Sequence, residues 1–364
     1  MYRRTFAKVD LGAYTANLGD VRRMMGPGVK LLAVVKANAY GHGLLPVARA
    51  AEKAGADWLG VAIAEEGEAL REAGILLPIL VLAPVNAAGA LASVRCGLTL
   101  SVFTPGHIQA LQAAAIATGL EAQAHIKLDT GMNRVGVKTQ DDLKALLEAA
   151  RAAPGIKITG AFTHFADGGN PDTRFNDVQL ARFGGFVNLL PPGLLIHAAA
   201  SATLPRPDAR FGMVRAGISL YGYVSVPYSE KMRPVLTWEA EIIHVKDIAA
   251  GEAVGYGVTY RAQKPVKVAT IAAGYGDGYS RSLSGKGQVL VNGRRCPIIG
   301  RLCMDQLMAD VSEAGPVEVG DSAVLLGKQG GERILADEIA GWMGTISYEV
   351  LLAISQRVPR IYVE

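Results

Sequence analysis

The chain has 364 residues, 50% hydrophobic and 19% charged, with 43 glycines, 17 prolines and a formal net charge of +4. At roughly 150 residues per domain this length suits about two domains, each with its own core, which excludes disordered, collagen-like and disulfide-stapled miniprotein classes. Lysine and arginine are spread among 33 acids, and the nearest basic cluster (Arg22, Arg23, Lys30) lacks aromatic interleaving, so it reads as a solvated face and no nucleic-acid partner is expected.

Residues 1–18 offer Arg3 and Arg4 but no apolar core before Asp10, which does not fit a secretory signal. Short β-rich apolar runs then alternate with helical patterns. Strands are expected at 31–35, 58–63, 79–83, 98–103, 122–128, 157–163, 194–198 and 213–221, with helices between them such as 104–117 and 140–152. Residues 74–94 carry no charge over a length that could span a bilayer. Pro78, Pro84, Asn86 and Gly89 cut that stretch into a buried strand followed by a helix, so no membrane partner is expected. Eight strands with helical crossovers point to an α/β fold, an N-terminal (β/α)8 TIM-type barrel; strand counting alone leaves a doubly wound sheet open.

After Val226-Pro227 and Arg233-Pro234 the texture changes to alternating strands, beginning at 237–242. Asn292-Gly293 lies between the runs 289–291 and 296–299, a hairpin signal whose four-residue connection leaves the turn type open. Helices near 334–342 and from about 347 close a mostly β C-terminal domain. The expected domains are 1–233 and 234–364. Cys96, Cys296 and Cys303 are odd in number, widely spaced and without a C-x-x-C pair, so a reducing, cytoplasmic setting is expected and no metal site. There is no Walker loop, H-E-x-x-H or G-x-S-x-G, and the glycines at 274–278 do not fit dinucleotide spacing.

In such a barrel, chemistry gathers where strands end. The first run ends in Lys36, which is either a snorkelling surface lysine or a desolvated amine suited to carbonyl chemistry. The fifth ends Lys127-Leu128-Asp129-Thr130-Gly131-Met132-Asn133-Arg134, where alternation sends Lys127 and Asp129 to one side. Arg134 either clamps a substrate carboxylate or pairs with Asp129. His164 is a catalytic imidazole, a ring against a cofactor or, by default, a core histidine. Ser201 follows the seventh strand and Arg215-Ala216-Gly217-Ile218 lies in the eighth, the region where many barrels bind phosphate. A strand-end lysine opposite a phosphate cradle suits pyridoxal 5'-phosphate.

Seven segments resemble the alanine racemases, the bacterial fold type III pyridoxal-phosphate enzymes, across both domains. They are A-V-V-K-A-N-A-Y-G-H-G at 33–43, K-L-D-T-G-M-N-R at 127–134, T-H-F at 163–165, V-R-A-G-I at 214–218, G-Y-G at 255–257, C-M-D at 303–305 and I-S-Y-E-V at 346–350. The resemblance implies that Lys36 binds the cofactor aldehyde, while Tyr40, Ser201, Tyr348 and the backbone of Gly217 and Ile218 hold its phosphate. It places Tyr256 on the opposite face, supplied by the β domain of the partner in a head-to-tail homodimer with shared active sites. Tyr256 would take the α-proton from the L-isomer and Lys36 from the D-isomer. Arg215 would face the pyridine nitrogen as a donor-only group, and His164 would contact Arg215 and Tyr256. Arg134, with the Met304 backbone N–H from the partner, would bind the substrate carboxylate, with Cys303 and Asp305 flanking Met304. Lys127, carbamylated in many family members, would orient Arg134, and Tyr275 would narrow the channel to the site. Ala200 departs from the asparagine common before the phosphate-binding serine. The implied activity is interconversion of L- and D-alanine in the cytoplasm, supplying D-alanine for peptidoglycan. Rival readings are a serine, lysine or broad-specificity racemase, a barrel decarboxylase with the same cofactor, and a non-catalytic pyridoxal-phosphate carrier.

Overall fold

The computed structural model of the chain describes residues 4–223 and 231–364, so Arg3 and the Val226-Pro227 pair lie outside the described residues. The chain forms two compact units. One comprises Tyr14–Ala39 and Gly43–Arg233; the other comprises the N-terminal segment as far as Ala13, Tyr40–His42 and Pro234–Glu364. The first strand, β1 (Thr5–Asp10), therefore groups with the C-terminal unit rather than within the 1–233 segment expected for the barrel.

The next eight strands all lie in the first unit: β2 (Lys30–Val34), β3 (Trp58–Val61), β4 (Ile79–Val81), β5 (Thr99–Val102), β6 (Ala122–Lys127), β7 (Ile156–Phe162), β8 (Leu195–His197) and β9 (Met213–Ala216). Each from β2 to β7 pairs in parallel with the next, and β2 also pairs in parallel with β9. The remaining gap is bridged between Ala200 and Arg215, and the Gly212 amide donates to Ile196 O at 3.0 Å. The sheet thus closes on itself as a barrel, and the doubly wound alternative, which would leave two open edges, is not what forms. β3, β4, β5 and β9 are buried at every residue, as expected of parallel strands covered on both faces.

Strands stop one or two residues before the apolar runs end. The largest departure is at 213–221. Gly217 (φ −117°, ψ −104°) leaves the β region, so β9 ends at Ala216 and Ile218–Tyr221 turns as a 3-10 helix. The expected helix at 104–117 is Pro105–Thr118, with Thr104 as cap accepting from the His107 amide at 3.3 Å and proline in its first turn. The uncharged stretch 74–94 divides into β4 and a helix, Ala87–Arg95, capped by Asn86. Among the described residues no helix is long and apolar enough to cross a membrane.

In the second unit β1 buries Thr5, Ala7 and Val9 in a period-two pattern. It pairs antiparallel with β10 (Leu236–Ile248) and parallel with Arg360–Val363. Gln288–Val291 and Arg294–Pro297 make the expected hairpin, but the second strand starts at Arg294, which leaves a two-residue loop. Asn292 and Gly293 both take positive φ (50° and 72°), the signature of a type I′ turn. Two helices, Ala336–Met343 and Ser347–Ala353, lie where the sequence placed them.

Candidate active site

The turn directly after β2 is the most unusual backbone in the barrel unit. Ala37, Asn38 and Ala39 follow Lys36 with φ of 53°, 53° and 52°, and Tyr40 continues at 52°. Left-handed conformation costs about 1–2 kcal/mol per non-glycine residue, so such a run must be held by its surroundings. Glu66 accepts from the Ala37 amide at 2.5 Å, Val35 O from the Ala39 amide at 2.8 Å, and the Asn38 carboxamide from the Leu44 amide at 2.8 Å. The lysine at its start is desolvated rather than snorkelling. Burial pushes the Lys36 amine below its usual pKa, Arg134 adds to the effect, and Glu66 opposes it.

Past β6 the loop is shaped by Asp129, whose carboxylate accepts from the Gly131 and Asn133 amides at 2.9 and 3.0 Å. It caps this turn and does not pair with Arg134, which remains exposed and without an ion pair among the described residues. Gln179, from the helix Arg174–Val187, braces the same loop by donating to Thr130 Oγ1 and to His164 O, each at 3.2 Å. Lys127 is buried, donates to Leu128 O at 2.8 Å, and lies 5.3 Å from the Phe162 ring centre. Burial, with Arg215 and Arg134 adding to it against Asp129, pushes its pKa down to about 7.

Arg215 on β9 is buried, yet it has no carboxylate partner among the described residues. Its Nη1 meets His197 Nδ1 at 2.9 Å; its Nη2 donates to Thr163 O at 2.8 Å, to Ala198 O at 3.0 Å, and meets His164 Nδ1 at 3.2 Å. Guanidinium only donates, so both imidazole nitrogens must accept and both rings are neutral on that side. Burial and the nearby Arg215 charge push His164 down to about 3. This is more than the default core histidine: the ring is partly accessible and tied to the buried arginine.

Beyond β8, Ser201 Oγ accepts from the Gly217 amide at 2.9 Å and the Ser219 amide at 3.3 Å, and Ser219 Oγ donates to it at 2.9 Å. Two amides and two hydroxyls thus gather at the start of the Ile218–Tyr221 turn, the group types that hold an anion, with Ser201 Oγ accepting from the other three here. In the second unit, the Tyr40 and Tyr348 rings lie 5.8 Å apart, and burial raises the pKa of both hydroxyls. Tyr256 is 70% exposed on a short turn, Tyr256–Val258. Tyr275 and Met304 are brought together by backbone bonds, from the Tyr275 amide to Cys303 O at 3.1 Å and from the Gly276 amide to Met304 O at 2.8 Å. A Cβ at Gly274 would collide with the carbonyls of Cys303 and Met304, so only glycine permits this approach. Asp305 is held by Arg357 at 2.7 Å.

Family profiles decide what this assembly is. Residues 9–225 match the alanine racemase N-terminal domain and residues 235–362 its C-terminal domain. The chain belongs to the alanine racemase family. Among curated relatives, the alanine racemase of Symbiobacterium thermophilum is 44% identical, over 99% of this chain and 97% of its own. Among solved structures, the Bacillus anthracis alanine racemase with bound L-Ala-P superposes with a TM-score of 0.92 at 36% identity, covering 100% of this chain and 96% of that one. The Bartonella henselae alanine racemase with covalently bound pyridoxal phosphate gives 0.89 at 28% identity, with 99% of each chain covered.

Within this alanine racemase fold, the barrel unit carries Lys36, Lys127, Arg134, His164, Ser201, Arg215, Gly217 and Ile218, and the second unit carries Tyr40, Tyr256, Tyr275, Cys303, Met304, Asp305 and Tyr348. Sequence reasoning passed over Glu66, Ser219, His125 and His197. Ser219 sits two residues from Gly217, within reach of a cradle reading. The two histidines sit inside strands, where nothing in the pattern separates them from ordinary core residues.

Proposed function

We propose that this chain interconverts L- and D-alanine with pyridoxal 5'-phosphate bound at the barrel unit. The observation that carries the reading is Arg215, a buried cation with only neutral acceptors, on the same barrel as a desolvated lysine. The Arg134 and Arg215 guanidinium groups serve this region with the Lys36 and Lys127 amines, and Ser201 adds a hydroxyl beside the Gly217 and Ser219 amides. That surplus fits an anionic ligand with a phosphate and an aldehyde better than a neutral one. When bound, the cofactor supplies an electron sink that weakens the Cα–H bond of an attached amino acid.

The chain's residues do the rest. Ser201, the Gly217 and Ile218 backbone, Tyr40 and Tyr348 would hold the phosphate, and Lys36 would cover one face with an amine that burial and Arg134 hold below its usual pKa, the direction a proton acceptor needs. Tyr256 of the partner subunit covers the other face. Lys36 Nζ removes the α-proton of D-alanine and Tyr256 Oη that of L-alanine, each returning a proton in the reverse direction. Arg215 would face the ring nitrogen of a bound cofactor; as a donor-only group it would favour the unprotonated nitrogen, a weaker sink less prone to transamination. His164 accepts from Arg215 at Nδ1, so its hydrogen sits on Nε2, the nitrogen suited to stabilise a tyrosinate. Arg134 and the Met304 amide of the partner subunit bind the substrate carboxylate. Lys127, with a pKa near 7 under the influence of two arginines, is poised as a neutral amine to capture CO2, forming an N–C bond as one N–H proton passes to solvent, and the resulting carbamate orients Arg134.

The head-to-tail homodimer draws support from the second unit, where Tyr256 (70%), Ile346 (61%), Met304 (53%) and Val258 (50%) are exposed in the single chain. The product serves peptidoglycan in the cytoplasm. Incubation with cofactor and L-alanine, L-serine or L-lysine in D2O, with NMR of the α-proton and chiral analysis, tests the reading. Exchange with both enantiomers for alanine is expected. Exchange only on serine or lysine would move the assignment to another racemase, and loss of CO2 would make it a decarboxylase.

A further inference from the structure

Behind Arg215 the barrel holds a line of three side chains from three strands. Arg215 Nη1 lies 2.9 Å from His197 Nδ1, and His197 Nε2 lies 2.9 Å from His125 Nδ1. All three residues are buried, His125 and His197 at 0% exposure. The hydrogens along this line follow from the donor-only end. Guanidinium donates, so His197 Nδ1 accepts and its hydrogen is on Nε2. That hydrogen goes to His125 Nδ1, which leaves the His125 hydrogen on Nε2. This last nitrogen has no hydrogen-bond partner among the described residues.

Each ring is fixed from the side. Phe162 stacks on His197 at 4.8 Å between centres and 4° between planes, and Trp58 lies 5.3 Å from His125. Gly160, on β7, leaves space for His125: a Cβ there would fall 2.7 Å from both Nε2 and Cε1 of the ring, and 2.6 Å from Leu195 O. A buried N–H without a partner costs about 1–3 kcal/mol, so this line is not explained by stability alone.

We infer that His197 and His125 are positioning residues which hold the Arg215 guanidinium in one orientation with its charge uncompensated. The choice of imidazole is the point. A carboxylate in the place of His197 would fix the guanidinium equally well but would cancel its charge, and a residue able to donate would oppose it. A neutral ring that accepts at Nδ1 and is itself locked into that tautomer by His125 does neither. Burial, reinforced by the Arg215 charge, keeps both rings neutral: His125 is pushed down to about 3 and His197 well below the usual histidine value. Lys127, the other cation acting on His197, favours the same state. The inference rests on the reading of Arg215 as the group facing the cofactor's ring nitrogen.

Long-range 1H–15N spectra of the purified protein, recorded as isolated and again with pyridoxal phosphate from about pH 5 to pH 9, test the tautomers. Both rings should be neutral with hydrogen on Nε2 throughout; hydrogen on Nδ1, or titration of either ring in this range, overturns the line. This arm needs no racemase activity, so it stands apart from the functional reading, which fails instead if the unaltered protein does not racemise. His197→Phe and His197→Asn then test the role. Phe keeps the packing and removes the acceptor, while Asn accepts through Oδ1 and donates through Nδ2. The Phe variant should lose about tenfold to a hundredfold in kcat with little change in KM, and should release more pyruvate per racemisation turnover. The Asn variant should recover most of both. Unchanged kcat and pyruvate release in His197→Phe, or equal damage in the two variants, would refute the positioning role.

Discussion

Replacing Lys127 with methionine gives a test in which the structure supplies the magnitude. The lysine is 4% exposed, its amine donates to a single carbonyl, and burial with two arginines brings its pKa to about 7 from the usual 10.5. Below pH 7 both folded and unfolded chains hold the proton, and the folded chain bears the full cost of the buried charge. Between about pH 7 and 10.5 the unfolded chain holds more protons than the folded one, so folding stability rises with pH. At about 1.4 kcal/mol per pH unit, this lysine contributes about 4 kcal/mol of gain from pH 7 to pH 10. Lys127→Met removes that slope and leaves other titrations in place. Denaturant unfolding of both proteins without cofactor, in CO2-free buffer, should therefore show a stability difference that moves by about 4 kcal/mol across this range. A difference that stays flat within about 1 kcal/mol would refute the lowered pKa. Added bicarbonate near pH 8 should stabilise only the lysine form, with a mass gain of one CO2.

Ser201→Ala removes the acceptor shared by the Gly217 and Ser219 amides and a hydroxyl of the cradle, so pyridoxal-phosphate affinity measured by equilibrium dialysis should fall about tenfold. Gly274→Ala forces a Cβ against the Cys303 and Met304 carbonyls; a folded variant should show a raised KM for alanine in steady-state assays, about tenfold, with kcat less affected. Asn38→Ala deletes the Leu44 amide's acceptor at a left-handed position that asparagine tolerates best, and denaturant unfolding should show a loss of about 1–2 kcal/mol.

Much of the barrel is legible because parallel strands covered on both faces read as unbroken apolar runs, and what ends such a run stands out. Lys36 was visible for that reason, Arg134 because a glycine turn after β6 can aim it back, and Arg215 as a charge within an apolar run. The alternatives at two of them needed the fold: only the Asp129 contacts show that this carboxylate caps its own turn instead of pairing with Arg134. β1 escaped notice because its half-buried alternation is short, follows Arg4 and is interrupted by Lys8, and its partners lie more than two hundred residues away. His125, His197 and Gly160 form one arrangement across three strands, and no spacing within a single segment encodes it. Tyr256, exposed on a turn, has no periodicity to mark it; the G-Y-G resemblance was the only signal.

The claim most directly exposed to test is that two groups on opposite faces move the α-proton. Tyr256→Phe with cofactor, incubated separately with L- and D-alanine in D2O, separates the faces. The account predicts that D-alanine still exchanges its α-proton through Lys36 with its configuration retained, while L-alanine neither exchanges nor inverts beyond about 1% of the unaltered rate. Equal exchange from both enantiomers, or racemisation at the unaltered rate, would contradict it.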